Sequence, residues 1–339
     1  MMNTECTRKN AVTVTLGEMM MRLSPKGNLR FLQADSLDVH YGGAEANVAA
    51  SLSLLGERAR FVTKLPAHAF GENAVCFLRA KGVDVSRILR GGERLGTYFV
   101  ERGASLRGSK VIYDRKNSAF ALSSVEEYDF DDIFEGADLL HITGITPALG
   151  ENCARLTETA MREAKKRKMT VTFDPNYRMA LWTEKAASSC FEKLLPLTDI
   201  LIASSDGLSV LGSSPTGEAA DETLAAAEKL RGKYGLRGVA LTMRGHVSAE
   251  ENRWAAVYFD GKGYVSDTYR LQIVDRVGGG DAFAAGLIYA LKNGFDGQRA
   301  IDFAVAAGAV KHTIEGDVNL STAEEITSFM HGNNGRIGR

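Results

Sequence analysis

The sequence predicts an α/β protein: a doubly wound, mostly parallel sheet with helices on both faces, plus a small β-sheet lid. Two observations carry this. Apolar runs of strand length alternate with runs of helix length over most of the chain, as parallel strands joined by crossover helices require. Two segments, 19–41 and 96–122, break the rhythm with β-like pieces and no helix between them. The expected division is a main domain of 1–18, 42–95 and 123–339 with a small sheet of 19–41 and 96–122. Such a sheet would suit a lid over a site at the main sheet's carboxyl edge.

Residues 12–16 read as the first strand, and Gly42-Gly43 opens an Ala/Leu-rich helix over 44–55 that Gly56 stops. A strand at 61–65 and a helix at 72–81 closed by Gly82 follow. β-like pieces at 97–101 and 110–115 belong to the small sheet, whose apolar outer face needs cover and so points to self-association. The alternation resumes with strands at 138–143, 169–173, 199–203 and 239–243 and helices at 151–167, 185–194 and 222–234. Helices at 281–292, 298–313 and 323–330 complete the chain, the last opened by a capping box of Ser321 and Glu324.

The 339 residues are 45% hydrophobic and 24% charged, enough for a full core. Forty-one basic against forty-two acidic residues give a net charge of -1, which offers no bulk attraction for nucleic acid or an acidic membrane. Cys6, Cys76, Cys153 and Cys190 form no C-x-x-C pair, so neither a zinc knuckle nor a disulfide framework is indicated. The polar stretch 1–10 lacks the apolar core of a signal peptide, and no run approaches transmembrane length. A cytoplasmic protein is expected. The six histidines have no zinc-like spacing, and there is no Walker phosphate loop, no nucleophile elbow and no G-x-G-x-x-G turn after the first strand. P-loop ATPases, serine hydrolases and nicotinamide-dependent dehydrogenases are thereby disfavoured.

Val277-Gly278-Gly279-Gly280-Asp281 runs straight into the apolar helix that starts with Ala282. Three glycines let several backbone N–H groups approach an anion, and the helix adds the positive end of its dipole. Asp281 at that point is a candidate base, so the run has the parts that phosphoryl transfer needs; read blandly, it is a flexible turn with Asp281 as a cap. Asp174-Pro175-Asn176-Tyr177-Arg178 leaves the carboxyl end of a predicted parallel strand, either as a ligand cluster or as a turn. Tyr113 and Arg115 stand two apart on a predicted strand, on one face, as an anion clamp or as an exposed edge pair. Thr242-Met243-Arg244-Gly245 ends another strand, where it meets nucleotide phosphates or simply turns.

With these residues in view the chain resembles the PfkB, or ribokinase-like, family of sugar kinases over nearly its whole length. Two motifs carry the resemblance: Gly42-Gly43-Ala44-Glu45-Ala46-Asn47-Val48-Ala49, and about 230 residues later Val274-Asp275-Arg276-Val277-Gly278-Gly279-Gly280-Asp281, each opening a predicted helix. Within the family it is most similar to the kinases of 2-keto-3-deoxygluconate, through Gly17-Glu18-Met19, Arg22-Leu23-Ser24-Pro25, Tyr113-Asp114-Arg115 and the Asp174 to Arg178 cluster. A sugar acid brings a carboxylate that must be matched on leaving water, which a neutral hexose does not.

The resemblance implies a ribokinase-like fold and ATP-dependent phosphorylation of the acid's terminal hydroxyl. It implies that Gly42, Gly43 and Asn47 hold sugar hydroxyls, that Tyr98, Tyr113, Arg115 and Arg178 grip the acid and keto end, and that Asp317 adds a contact. Asp281 would be the base, with no raised pKa required, and the Gly278, Gly279 and Gly280 amides would take up charge on the moving phosphoryl group. Asn176, Thr242, Arg244 and Gly245, with Gly278 and Gly280, would lie along ATP. Magnesium is expected with the nucleotide, its protein ligand unassigned, although Asp206 could reach it through water. Arg276 and Gly279 stand where the family usually has threonine and alanine. The glycine is expected to loosen the anion site, and Arg276 leaves a monovalent-cation site open to question. A neutral-sugar kinase such as a fructokinase, and a non-catalytic sugar sensor, are the alternatives.

Overall fold

The computed structural model describes residues 11–214 and 216–332. The expectations placed on 1–10, including the thiol of Cys6, lie outside the described residues. The main sheet has nine strands. Six are parallel and adjacent in the order Ala59–Val62, Val12–Leu16, Ala137–Thr143, Thr170–Asp174, Ile200–Ser204 and Gly238–His246. Strand Glu251–Phe259 then pairs antiparallel with Gly238–His246 and carries Gly263–Val265 and Tyr269–Gln272 on its far side.

The parallel strands are covered on both faces, so that even the threonines alternating in Val12–Leu16, Thr13 and Thr15, are fully buried. On Ala137–Thr143, Leu139 packs into one core and Leu140 into the other. One core joins helices Ala44–Leu54, Gly279–Lys292 and Gly297–Lys311 to the sheet; the opposite core joins Glu151–Lys166, Glu184–Leu194 and Ala220–Tyr234. From Val12–Leu16 the chain goes first to one neighbour, Ala59–Val62, and later to the other, Ala137–Thr143. That reversal of direction opens a crevice at the strands' carboxyl ends, where α/β sheets hold ligands.

A separate sheet of four strands has the order Asp38–Gly42, Met20–Ser24, Gly96–Glu101 and Lys110–Asp114. Its register aligns Val39, Leu23, Phe99 and Ile112 in one row, and Val39 and Ile112 are exposed. The intervening residues Tyr98, Val100, Val111 and Tyr113 face the crevice.

Several elements differ from the sequence expectation. The strand expected at 61–65 is two pieces, because after Ala59–Val62 the chain leaves the main sheet and Lys64–Leu65 pairs with Leu89–Arg90. The helix expected from 72 begins at Ala69, since His68 accepts the Gly71 N–H as its cap. The last helix is capped by Thr322, whose hydroxyl accepts the Glu325 N–H at 3.2 Å, rather than by Ser321, which is buried one residue too early. The three antiparallel strands after residue 250 are not anticipated: the apolar run from Trp254 to Phe259 lacks period-2 alternation, and Gly263–Val265 and Tyr269–Gln272 are only 3 and 4 residues long.

Candidate active site

A cleft of about 890 Å3 lies between the carboxyl ends of the parallel strands and the inner face of the small sheet. The glycine turn forms part of its wall. Gly278 caps helix Gly279–Lys292 with φ +82°, a left-handed backbone that favours glycine. The first-turn amides of that helix lack intrahelical acceptors, and Gly278 and Gly280 line the cleft. Gly279 does not line it. A Cβ there would run into the His312 ring, with Nδ1 at 3.0 Å and Nε2 at 2.9 Å. His312 is buried and its Nδ1 lies 2.6 Å from the Gly308 carbonyl oxygen. The missing methyl is therefore replaced by an imidazole, and the site is not looser for it.

Asp281 sits in the first turn of the same helix and opens into the cleft. Asn47, from the other glycine motif, donates its side-chain amide to Asp281 Oδ2 at 2.7 Å. Burial pushes the Asp281 carboxyl up to about 6, while the Asn47 hydrogen bond and the Arg178 cation hold it down. The Asp281 carboxyl is thus raised, although the role expected of it does not require that. Asp174 stands nearby at the end of its strand, driven up to about 7 mainly by burial and further by the charge of Asp281. Its Oδ1 accepts the Asn176 N–H at 2.8 Å, which holds Asn176 at φ +37° in the turn.

The expected acid clamp divides. Arg115 lies just past the end of strand Lys110–Asp114 and is buried, while Tyr113 on the strand is 40% exposed, so the two do not form one exposed pair. Both line the cleft. Arg115 already holds a carboxylate: its Nε donates to Glu18 Oε2 at 2.7 Å and its second nitrogen contacts the same oxygen. Glu18 Oε1 is buried without a hydrogen-bond partner. Arg178 is different. It is exposed in the cleft wall and, among the described residues, donates only to the Tyr177 carbonyl, at 3.2 Å.

Tyr98 and Asp317 are joined directly. The Tyr98 hydroxyl donates to Asp317 Oδ1, and Asp317 Oδ2 accepts from Arg22 at 3.1 Å. Arg22 is fully buried and also donates to Asp275 Oδ2 at 2.7 Å and to Ser24 Oγ at 3.0 Å. Two carboxylates on one guanidinium tie the small sheet to the glycine turn and to the segment before the last helix. Gly43 lines the cleft and Gly42 does not, because Asp317 Oδ1 would lie 2.6 Å from a Cβ on Gly42.

Asn176, Thr242 and Arg244 also line the cleft, Arg244 beside the turn with a nitrogen 3.8 Å from where a Cβ on Gly280 would lie; Gly245 falls outside it. Arg244 is stacked over Trp254, 4.8 Å from the ring centre, with a buried Nε that has no partner. Burial and the neighbouring Arg178 and Arg276 charges lower its pKa to about 10. Arg276 donates to the Ala249 carbonyl at 2.9 Å. Arg178, Arg244 and Arg276 all line the cleft, and none is ion-paired among the described residues. Guanidiniums that repel one another in a partly dry cleft, with a buried donor left over, fit a polyanion. No group of three or more His, Cys, Asp or Glu among the described residues could hold a metal ion.

Reasoning from the sequence missed Glu18 as the partner of Arg115, the Arg22–Asp275 pair, and Glu45. Glu45 is buried in the lining of the cleft and accepts from the Thr143 N–H at 3.0 Å, the Thr143 hydroxyl at 2.8 Å and the Thr146 hydroxyl at 2.9 Å. An acidic residue inside the small apolar run Gly43-Ala44-Glu45-Ala46 was the available signal for it.

A doubly wound sheet with a carboxylate under a glycine-built helix start defines a phosphotransferase site of the kind the sequence motifs imply. The chain belongs to the pfkB family of carbohydrate kinases, whose pattern it matches over residues 11–323. It is 33% identical over 333 residues to the 2-dehydro-3-deoxygalactonokinase of Haloferax volcanii, covering 97% of this chain and 99% of that one. To the 2-dehydro-3-deoxygluconokinase of Thermoproteus tenax it is 33% identical over 310 residues, 90% and 89% of the two chains. The crystal structure of a 2-dehydro-3-deoxygluconokinase from Thermotoga maritima superposes with a TM-score of 0.93 at 43% identity, over 95% of this chain and 99% of that one.

Proposed function

We propose that this kinase transfers the γ-phosphoryl group of ATP to the terminal hydroxyl of 2-keto-3-deoxygluconate, giving the 6-phospho sugar acid. The observation that carries the reading is the placing of Asp281 between Asn47, which orients it, and the Gly278 to Gly280 turn, with the unpaired Arg178 cation in the same cleft. Relatives named for this acid and for its galactonate epimer support the substrate class.

In this reading Asp281 accepts the hydroxyl proton as the oxygen attacks phosphorus, and the turn's free amides take up charge on the transferred group. Because the transition state is loose, the proton moves late, and the raised carboxyl improves the match to a neutral working pH. Thr242, Arg244 and Arg276 hold the nucleotide's phosphates, which the orphaned Arg244 Nε suits. Magnesium, brought with ATP, would neutralise phosphate charge, and Asp206 at the cleft wall is the residue offered to its hydration shell. Arg178 reads the substrate carboxylate; Arg115 shares it only by exchanging its contact with Glu18.

The small sheet acts as a lid, and two copies associate through the Val39, Leu23, Phe99 and Ile112 row, which would otherwise leave apolar surface in water. Among the described residues no helix is long and apolar enough to cross a membrane, and dependence on ATP supports a cytoplasmic setting. The test is ADP release over a panel of 2-keto-3-deoxy sugar acids, both epimers included, and neutral ketohexoses. A neutral sugar turned over faster than either acid would sink the substrate assignment.

A further inference from the structure

Lys311 ends helix Gly297–Lys311 and its side chain is fully buried. Among the described residues its ammonium makes no ion pair. It donates instead to two main-chain carbonyls, those of Ile314 at 3.0 Å and Asp275 at 3.4 Å. Asp275 begins the glycine turn, and Ile314 lies on the segment that delivers Asp317. The same two segments are laced by main-chain bonds: the Val274 and Asp275 N–H groups donate to the His312 carbonyl at 2.8 and 3.2 Å, and the Gly316 N–H donates to Asp275 Oδ2 at 3.2 Å. A Cβ placed on Gly278 would strike the Asp317 carbonyl first and lie 3.3 Å from Lys311 Cε, so that carbonyl and the lysine stem together floor the turn.

Burying an ammonium that donates only to carbonyls among the described residues is costly, and burial lowers the Lys311 pKa, while the Asp275, Asp317 and Asp281 carboxylates work against that shift. A methionine of similar length would fill the same space without that cost. The charge is delivered to the start of the turn, where it holds the Asp275 carbonyl inward.

We propose that Lys311 is a positioning residue: a built-in cation, seated in a nest of main-chain carbonyls, that holds the Gly278 to Gly280 turn in its anion-binding form and makes an added monovalent cation unnecessary. The inference rests on the phosphoryl-transfer reading above. An ammonium in a carbonyl nest is the covalently tethered counterpart of a free ammonium or potassium ion, and this suggests the test.

Full-length enzyme is assayed in tetramethylammonium buffer, then with potassium or ammonium chloride, alongside Lys311→Ala, which leaves a cavity, and Lys311→Met, which fills it. ATP affinity is measured in parallel by calorimetry, so that nucleotide binding is read even if the sugar assignment fails. Wild type is expected to respond to potassium by less than about twofold. Lys311→Ala is expected to lose about tenfold or more in kcat, with the KM for the sugar little changed, and to recover with ammonium or potassium in both kcat and ATP affinity. Lys311→Met, with matching circular dichroism, is expected to show the loss without the recovery. Strong potassium dependence of wild type, which needs no variant to be folded, overturns the proposal. So does full activity of Lys311→Met, or a folded Lys311→Ala that no cation improves. Absence of ADP release from wild type with any sugar acid, with ATP binding intact, counts instead against the substrate reading.

Discussion

Asn47 and Asp281, 234 residues apart in sequence, are joined by a 2.7 Å hydrogen bond from the amide to Oδ2. The bond unites the two glycine motifs in one device. It favours the ionised carboxylate and fixes the side chain's direction, while burial pulls the other way and leaves the group near 6. Asn47 therefore acts on the Asp281 carboxyl as well as lining the cleft.

The pH dependence of kcat/KM follows from this. A base must be deprotonated to act, so activity is expected to rise through a midpoint near 6 and to level off above it. Asn47→Leu removes a bond that lowers the Asp281 pKa and is expected to move the midpoint upward. A rate independent of pH between about 5 and 8 would remove Asp281 from the role.

Asp281→Asn is expected to lower kcat by about 10²–10⁴-fold. It is also expected to raise stability at neutral pH. The folded carboxyl titrates near 6, above its ordinary value of 3.8, so the folded state holds its proton more tightly. Keeping it ionised in the fold costs stability that begins to be lost above pH about 4 and is fully lost above about 6. The gain from Asp281→Asn should appear in thermal melts at pH 8 and vanish at pH 4. A variant less stable than wild type at pH 8 would contradict the burial argument.

Arg115 is occupied by Glu18, whereas Arg178 is not. Arg178→Ala is therefore expected to raise the KM for the sugar acid about 10–100-fold, the worth of a charge-assisted contact of about 1.5–3 kcal/mol. Glu18→Gln removes the competing carboxylate and is expected to lower that KM, where Glu18 as a mere prop for the fold would raise it. Steady-state kinetics on both variants, with a neutral sugar as control, separate these outcomes.

Gly279→Ala restores the residue expected from the family pattern, yet here the methyl would strike the His312 ring. A loss of about 1–3 kcal/mol in urea unfolding is expected. His312→Ala removes the obstacle, so the double variant should regain at least about 1 kcal/mol of that loss. Strict additivity would mean that His312 is not what excludes the side chain.

The elements legible in the sequence were those whose signal is local. The run Val12 to Leu16, the helix from Ala44 and the Gly278 turn were recognisable from apolar runs and backbone freedom alone. Strand Glu251–Phe259 was not, since it is buried on both sides and a continuous apolar run has no period that marks a strand. His312 opposite Gly279 was equally invisible, because one glycine's surroundings come from a helix that begins 18 residues later.

The sequence by itself determined the alternation of strand and helix, the two glycine motifs and the position of Asp281, because each follows from what a few consecutive residues can do. Only the tertiary structure decided which charges are free to meet a ligand. Arg115 is taken by Glu18, 97 residues away, and Arg22 by Asp275 and Asp317, 253 and 295 residues away, while Arg178, Arg244 and Arg276 are left open to the cleft. A guanidinium's partner is set by a distance of a few ångströms in a folded, poorly solvated space, and nothing in the order of residues encodes that distance directly.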